Sequence, residues 1–135
     1  MPRVLIAVLL TTGCSGNPAA PVVSTGREFQ VRAGESASIQ GTNLGLRFES
    51  VASDSRCPAD AVCVTMGDAV AVFSATQGGR AAQRLSLHTQ PGEGQQGRVG
   101  DWALTLVRLD PYPYVSRPIQ RSDYEATLRV DRAGV

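Results

Sequence analysis

Apolar and polar residues alternate with a period of two along most of this chain. Alternating or doubly apolar segments of this kind cover residues 28–32, 36–40, 44–49, 68–76, 84–88, 102–109 and 124–130. A period of two places successive side chains on opposite faces of a β-strand, whereas a helix would repeat every 3.6 residues. No stretch of ten residues after the first few shows a helical stripe. The pattern therefore predicts about seven short strands and an all-β domain over residues 27–135.

Turn-forming residues separate these segments, at Ala33-Gly34, at Gly41-Thr42-Asn43, at Gln77-Gly78-Gly79 and between Pro91 and Gly100. Seven short strands with such spacing predict an antiparallel β-sandwich of immunoglobulin-like size. A small closed β-barrel is the competing architecture. Residues 91–97 are rich in glycine and glutamine, which predicts a flexible hairpin tip.

Two segments, residues 68–76 and 102–109, are apolar on both faces, so we expect both strands to be covered on both sides. In the first of them, Val70 and Val72 are expected to face the core, opposite Ala71 and Phe73. Leu46, Phe48, Leu104 and Leu128 are further expected core residues.

The charges are balanced, with 13 basic and 12 acidic residues and a net charge of +1. This balance gives no electrostatic basis for nucleic-acid binding. Every basic residue is arginine, so lysine chemistry such as a Schiff base or a P-loop is excluded. A single histidine, His88, excludes a multi-histidine metal site within one chain. We expect no cofactor and no enzymatic activity.

The N-terminus is typical of an exported protein. Arg3 precedes an unbroken apolar run at residues 4–10, which fits a short signal-peptide core and is too short to span a bilayer. The segment Leu10-Thr11-Thr12-Gly13-Cys14 resembles a bacterial lipobox, in which signal peptidase II cuts before a cysteine that carries lipid. Thr11 departs from the usual leucine. The alternative is a plain secretory signal with a free Cys14.

Three cysteines leave one over after any pairing, and lipid on Cys14 would account for it. A cysteine with two or three acyl chains is anchored stably, where one chain would be marginal. Residues 1–13 are therefore predicted to be a lipoprotein signal peptide. Residues 14–26 are predicted to be the lipidated cysteine and a flexible tether.

Residues 54–63 carry the second informative motif, which begins Asp-Ser-Arg-Cys-Pro and has five residues between Cys57 and Cys63. In an oxidising compartment, a disulfide between Cys57 and Cys63 is the default. The alternatives are a metal site that adds Asp54 and Asp60, and a catalytic redox pair. Arg56 is expected to form a local ion pair with Asp54 and Asp60.

This motif, with Gly67, residues 109–113 and Asp123-Tyr124, resembles a group of uncharacterised bacterial lipoproteins and exported β-domains. The resemblance covers roughly residues 29–130, and it implies location but no activity. Members commonly have tryptophan and alanine where this chain has Thr65 and Met66.

Residues 110–122 form a proline-stiffened excursion between the last two strands. Tyr112, Tyr114 and Arg117 are a possible binding loop, because tyrosine and arginine dominate interface hot spots. The alternative is that the tyrosines only cover a sheet edge. His88 is expected to be an ordinary surface residue.

The sequence thus predicts a lipid-anchored β-sandwich of a bacterial cell envelope, facing the periplasm or the exterior, with a binding or structural role. Its expected partners are the membrane, through the N-terminal lipid, and an envelope protein. One alternative is a secreted protease inhibitor of the chagasin type, because Arg117-Pro118 resembles part of one loop of that family. Another is a thiol–disulfide exchange protein that uses Cys57 and Cys63.

Overall fold

Nine strands make up the fold in a computed structural model that describes residues 20–134. They are β1 (Val22–Val23), β2 (Glu28–Arg32), β3 (Ser36–Ile39), β4 (Leu44–Asp54), β5 (Ala69–Gln77), β6 (Gln83–His88), β7 (Gln96–Val99), β8 (Trp102–Asp110) and β9 (Glu125–Arg132). Two short 3-10 turns, Glu93–Gln95 and Arg121–Asp123, lie in the connections. No helix within the described residues is long and apolar enough to cross a membrane.

The strands form two sheets that face each other and do not close into a barrel. One sheet has the order β1-β3-β4-β5-β6 and the other the order β2-β9-β8-β7. All pairings are antiparallel except that of β1 with β3. The predicted all-β sandwich is confirmed, and the barrel alternative is not what forms.

Large apolar side chains from the inner faces of both sheets fill the space between them. The most enclosed are Phe48, Phe73, Ile39, Leu87, Leu106, Leu109, Leu128, Val31 and Val130. The rings of Phe48 and Phe73, on neighbouring strands, lie 4.9 Å apart between centroids. Burial of this much apolar surface is the main force that holds the two sheets together.

The face of β5 that points into the core is not the one predicted. Ala71 and Phe73 face the core, whereas Val72 is buried outside the main core cluster and Val70 is half-buried. Phe73 pairs directly with Phe48 across the two strands, and this large aromatic pair sets which face points inward. Because this strand is apolar on both faces, the alternation of residues alone could not show which face points into the core.

Two strands were not expected. β7 begins inside the segment predicted to be a flexible tip, residues 91–97, and continues past it to Val99, and its backbone pairs with the start of β8. β1 lies inside the predicted tether, where the amides of Ser38 and Gln40 donate to the carbonyls of Pro21 and Val23. The sandwich therefore takes in residues from Val22 onward, because the edge of β3 recruits them.

The connections sort into two ends of the sandwich. The loop end is defined by residues 33–35, 55–68, 89–95 and 111–124, which leave or enter the strands at one end. The opposite end holds residues 40–43, 78–82 and 100–101, and a polar depression there is lined by Asn43, Gln77, Arg80 and Asp101 among others. The loop end contains both motifs that the sequence singled out.

Candidate binding surface

The loop that joins β4 to β5 is closed at its base by backbone pairing. The amide of Ser55 donates to the carbonyl of Asp68 at 2.7 Å, and the amide of Cys57 donates to the carbonyl of Met66 at 2.9 Å. Gly67 lies at this base with a φ of +69°, and a Cβ placed on it would be 1.8 Å from the carbonyl oxygen of Ser55. Only glycine fits a position with both features.

Cys57 and Cys63 form a disulfide, with their Cα atoms 5.9 Å apart, so this prediction is confirmed. Both sulfur atoms are used in the bond, and therefore neither is a thiolate ligand for a metal in this form. Within residues 20–134, no group of three or more histidine, cysteine or acidic side chains is placed to hold a metal ion.

Arg56 connects the two sheets at the loop end. Arg56 as a whole is 8% exposed. Its guanidinium forms a two-pronged bond to Asp54, at 2.9 Å from Nε to Oδ1 and 2.7 Å from Nη2 to Oδ2. It also donates to the carbonyls of Leu109 at 2.7 Å and of Pro111 at 3.0 Å. The planar guanidinium suits this arrangement, because its donors diverge in a fixed fork.

Tyr124 completes the cluster around the Asp54 carboxylate. Its hydroxyl donates to Oδ2 of Asp54 at 3.0 Å. Burial alone would raise the pKa of Asp54, but the hydrogen bonds from Arg56 and Tyr124, with the charge of Arg56, lower that pKa below its ordinary value. Burial, with the hydrogen bond to Asp54, raises the pKa of Tyr124 to about 12. The charged carboxylate is thus fully partnered in the fold.

Asp60 does not join this ion pair, contrary to the prediction for Arg56. Its carboxylate instead accepts hydrogen bonds from the amide of Val115 at 2.7 Å and from the hydroxyl of Ser116 at 3.4 Å. The bond from the Val115 amide lowers the pKa of Asp60. The amide of Ala59 also donates to the carbonyl of Pro113 at 2.9 Å. These bonds join residues 55–68 and 111–118 into one composite surface.

The three residues of the possible binding loop lie together in this surface. Tyr112 and Tyr114 are each a little less than half exposed. The guanidinium of Arg117 lies over the ring of Tyr114 at 5.6 Å, and that of Arg56 lies over the ring of Tyr112 at 5.2 Å. Stacking of this kind holds aromatic rings in place while it leaves one side of each available.

Exposed apolar side chains concentrate at the loop end. Among the described residues, seven of the eight large apolar side chains that are exposed lie on it or beside it, namely Val62, Val64, Met66, Val107, Tyr112, Tyr114 and Val115, and only Val22 lies elsewhere. Val62 and Val64 are fully exposed, and Met66 is 75% exposed. Exposed apolar side chains gathered at one end of a folded domain make that end the candidate binding surface.

An apolar groove of about 600 Å³ runs beside these loops, between Met66, Pro91 and Tyr112. Leu106 and Leu109 contribute to its lining, with Val107 between them. The strand pairing shifts register between Leu106 and Arg108, so Val107 is the extra residue of a bulge and points outward. The bulge brings Leu109, rather than Arg108, into the core.

His88 is less isolated than the sequence predicted. Its Nδ1 lies in hydrogen-bond contact with Oδ2 of Asp68, while Asp68 also accepts from the hydroxyl of Thr89 and the amide of Gln90. Burial tends to raise the pKa of Asp68, but these hydrogen bonds lower it. The contact fastens the end of β6 to the start of β5.

The sequence interpretation missed two parts of this surface. Tyr124 was expected to be an apolar strand residue, and its partner Asp54 lies 70 positions away. The exposed series at Val62, Val64 and Met66 had a visible signal, namely three large apolar residues in a loop that no strand pattern covers. Cys14, the predicted lipidation site, lies outside the described residues.

No protein-family model matches this chain, and searches of curated proteins and of solved structures find no match either.

The disulfide is expected to be a local clamp. The double change Cys57→Ser/Cys63→Ser should lower the free energy of unfolding by only roughly 2 kcal/mol, because the closed ring is small. Order should be lost within residues 55–67 and not in the core strands. Amide exchange measured beside a denaturant titration checks both points. A variant that is unfolded at room temperature would show that the core between the sheets cannot support the fold alone.

Proposed function

We propose that this protein is a lipid-anchored, non-enzymatic β-sandwich of a bacterial cell envelope, and that its loop end is the surface with which it contacts its partner. Mature protein would begin at Cys14, which carries the lipid, and residues 15–21 would be the tether. The domain would face the periplasm or the cell exterior.

The observation that carries this proposal is the pairing of Cys57 with Cys63. Structural disulfides persist in oxidising compartments, which for a bacterium means the periplasm or the outside. The pairing also leaves Cys14 as the odd cysteine, and Cys14 is the last residue of the lipobox-like segment. Lipid on that thiol explains the odd number without a free reactive group in the envelope.

The loop end supports the binding role. The loops that carry its apolar side chains are held in place by the disulfide, by the Arg56 cluster and by the bonds between Asp60 and the neighbouring loop. A rigid contact surface loses less conformational entropy on binding than a mobile one.

The anchor is tested by growing cells with labelled palmitate and separating the detergent-soluble membrane fraction. Wild-type protein should be labelled and membrane-bound, and Cys14→Ser should be unlabelled. Cys57→Ser/Cys63→Ser is the matched control, because it removes two cysteines and should keep the label. A wild-type protein that is soluble and unlabelled would refute the anchor.

A further inference from the structure

We propose that the loop end inserts its exposed apolar side chains into the surface of the bilayer that holds the Cys14 lipid, as a second point of membrane attachment. This inference rests on the proposed function, since it takes the lipid anchor as given. It names the lipid bilayer as the first partner of the loop end.

The shape and chemistry of the tip favour a bilayer. Residues 61–67 read Ala-Val-Cys-Val-Thr-Met-Gly and carry no charge, and their cysteine is in the disulfide. Val62 and Val64 project fully into solvent, so the tip is convex. A protein partner would bind protruding side chains in pockets of its own. A bilayer needs no such pockets, because aliphatic side chains on a rigid loop can enter the boundary between headgroups and acyl chains directly.

The rim of the tip matches the membrane interface. Tyr112 and Tyr114 lie beside it with their rings half exposed, and tyrosine is enriched where hydrocarbon meets water. Three charged side chains near the tip make contacts within the protein. Arg56 is paired with Asp54, Asp60 accepts from Val115 and Ser116, and Arg117 lies over Tyr114.

The direction of the chain is consistent with this orientation. β1 runs parallel to β3, and β3 runs away from the loop end, so the segment before Val22 approaches from the loop-end side. Val22 pairs with Ser38, Ser38 pairs with Gly45, and Gly45 pairs with Thr76, so Val22 and Thr76 lie at the same height in the sheet. From Thr76 to Ala69, at the loop end of β5, the strand spans about 23 Å. The eight Cα–Cα steps from Cys14 to Val22 reach at most about 29 Å.

The anchor can thus lie level with the base of the loops while their tips extend beyond it. The opposite end of the sandwich offers a bilayer much less. Its depression is lined by polar and glycine residues, and among the described residues Val22, level with Thr76, is the one exposed large apolar side chain near that end. The distribution of apolar side chains and the direction of the chain therefore both favour the loop end as the end that faces the bilayer.

Fluorescence quenching in vesicles tests the proposal with the lipidated protein. The natural Trp102 lies at the opposite end, at the start of β8, and its quenching in the wild-type protein is the control. Wild-type protein and the variant Trp102→Phe/Val64→Trp are each reconstituted in phosphatidylcholine vesicles with brominated acyl chains. The tryptophan placed at position 64 should lose at least about half of its emission, and Trp102 should lose little, because bromine quenches only at short range.

A second measurement in intact cells distinguishes lipid from protein. A photoreactive residue at position 64 should form adducts with phospholipid, and the same residue at Arg80, at the opposite end, should not. A discrete protein adduct at position 64 in place of lipid would overturn the bilayer and identify a protein partner. Palmitate-labelled protein with no quenching at position 64 would refute this inference while the anchor stands. An unlabelled, soluble chain would refute the anchor itself.

Discussion

Arg56→Ala should lower the free energy of unfolding by about 3–5 kcal/mol, among the largest effects of any single substitution in this protein. The change removes a guanidinium that is nearly enclosed and leaves the carboxylate of Asp54 without its main partner. It also leaves the carbonyls of Leu109 and Pro111 without the donor that holds them. A urea titration followed by circular dichroism measures the loss.

Arg129→Ala is the matched control, since Arg129 also pairs with an aspartate two residues away, at 2.7 Å from Asp131, but in solvent. An exposed pair contributes at most about 1 kcal/mol. Arg56→Lys should fall between the two, because lysine keeps the charge but cannot form the two-pronged bond and reach both carbonyls. If Arg56→Ala cost no more than Arg129→Ala, the cluster would not be what joins the two sheets at the loop end.

Gly67→Ala should destabilise the protein by about 3–4 kcal/mol through two separate costs. A left-handed backbone conformation costs an L-residue roughly 1–2 kcal/mol. The new Cβ would also collide with the backbone of Ser55, which has to move at a further cost of about 1–3 kcal/mol. The two paired segments at the base of the loop should separate, and amide exchange at Ser55, Cys57 and Asp68 should accelerate.

Gly34→Ala separates these costs. Gly34 has a φ of +88°, and a Cβ placed there meets nothing within 4 Å. The free energy of unfolding that Gly34→Ala loses should therefore reflect the backbone conformation alone. Equal losses at the two positions would mean that the close approach to Ser55 carries no energetic weight, and the loop would then be more adaptable than its geometry indicates.

The alternation of apolar residues was sufficient to predict the fold class and most strands, because burial on one face leaves a direct trace in the sequence. β7 left no such trace. Its residues Gln96, Gly97 and Arg98 are polar or small, and their pairing comes from the backbone of β8. β1 is two residues long, too short for any periodicity to appear.

The candidate surface was predicted only in its local parts. The disulfide and the pairing of Arg56 with Asp54 join residues six and two positions apart, so the motif itself indicated both. The bonds from Arg56 to backbone carbonyls reach 53 and 55 positions along the chain, and any residue type can supply a carbonyl. Contacts of that kind depend on how two sheets stack, which no local pattern encodes.

The parallel pairing of β1 with β3 also bears on association between copies. Lipid-anchored molecules share a two-dimensional surface, where an uncovered strand edge meets other edges at high local concentration. β1 occupies the outward amides of Ser38 and Gln40, which would otherwise be open to a strand from a neighbour. A protease cut before Pro21 would release the domain with both amides still paired, because the carbonyls of Pro21 and Val23 stay in place. A cut after Val23 would release a domain whose β3 edge is open to pairing with a strand of another copy.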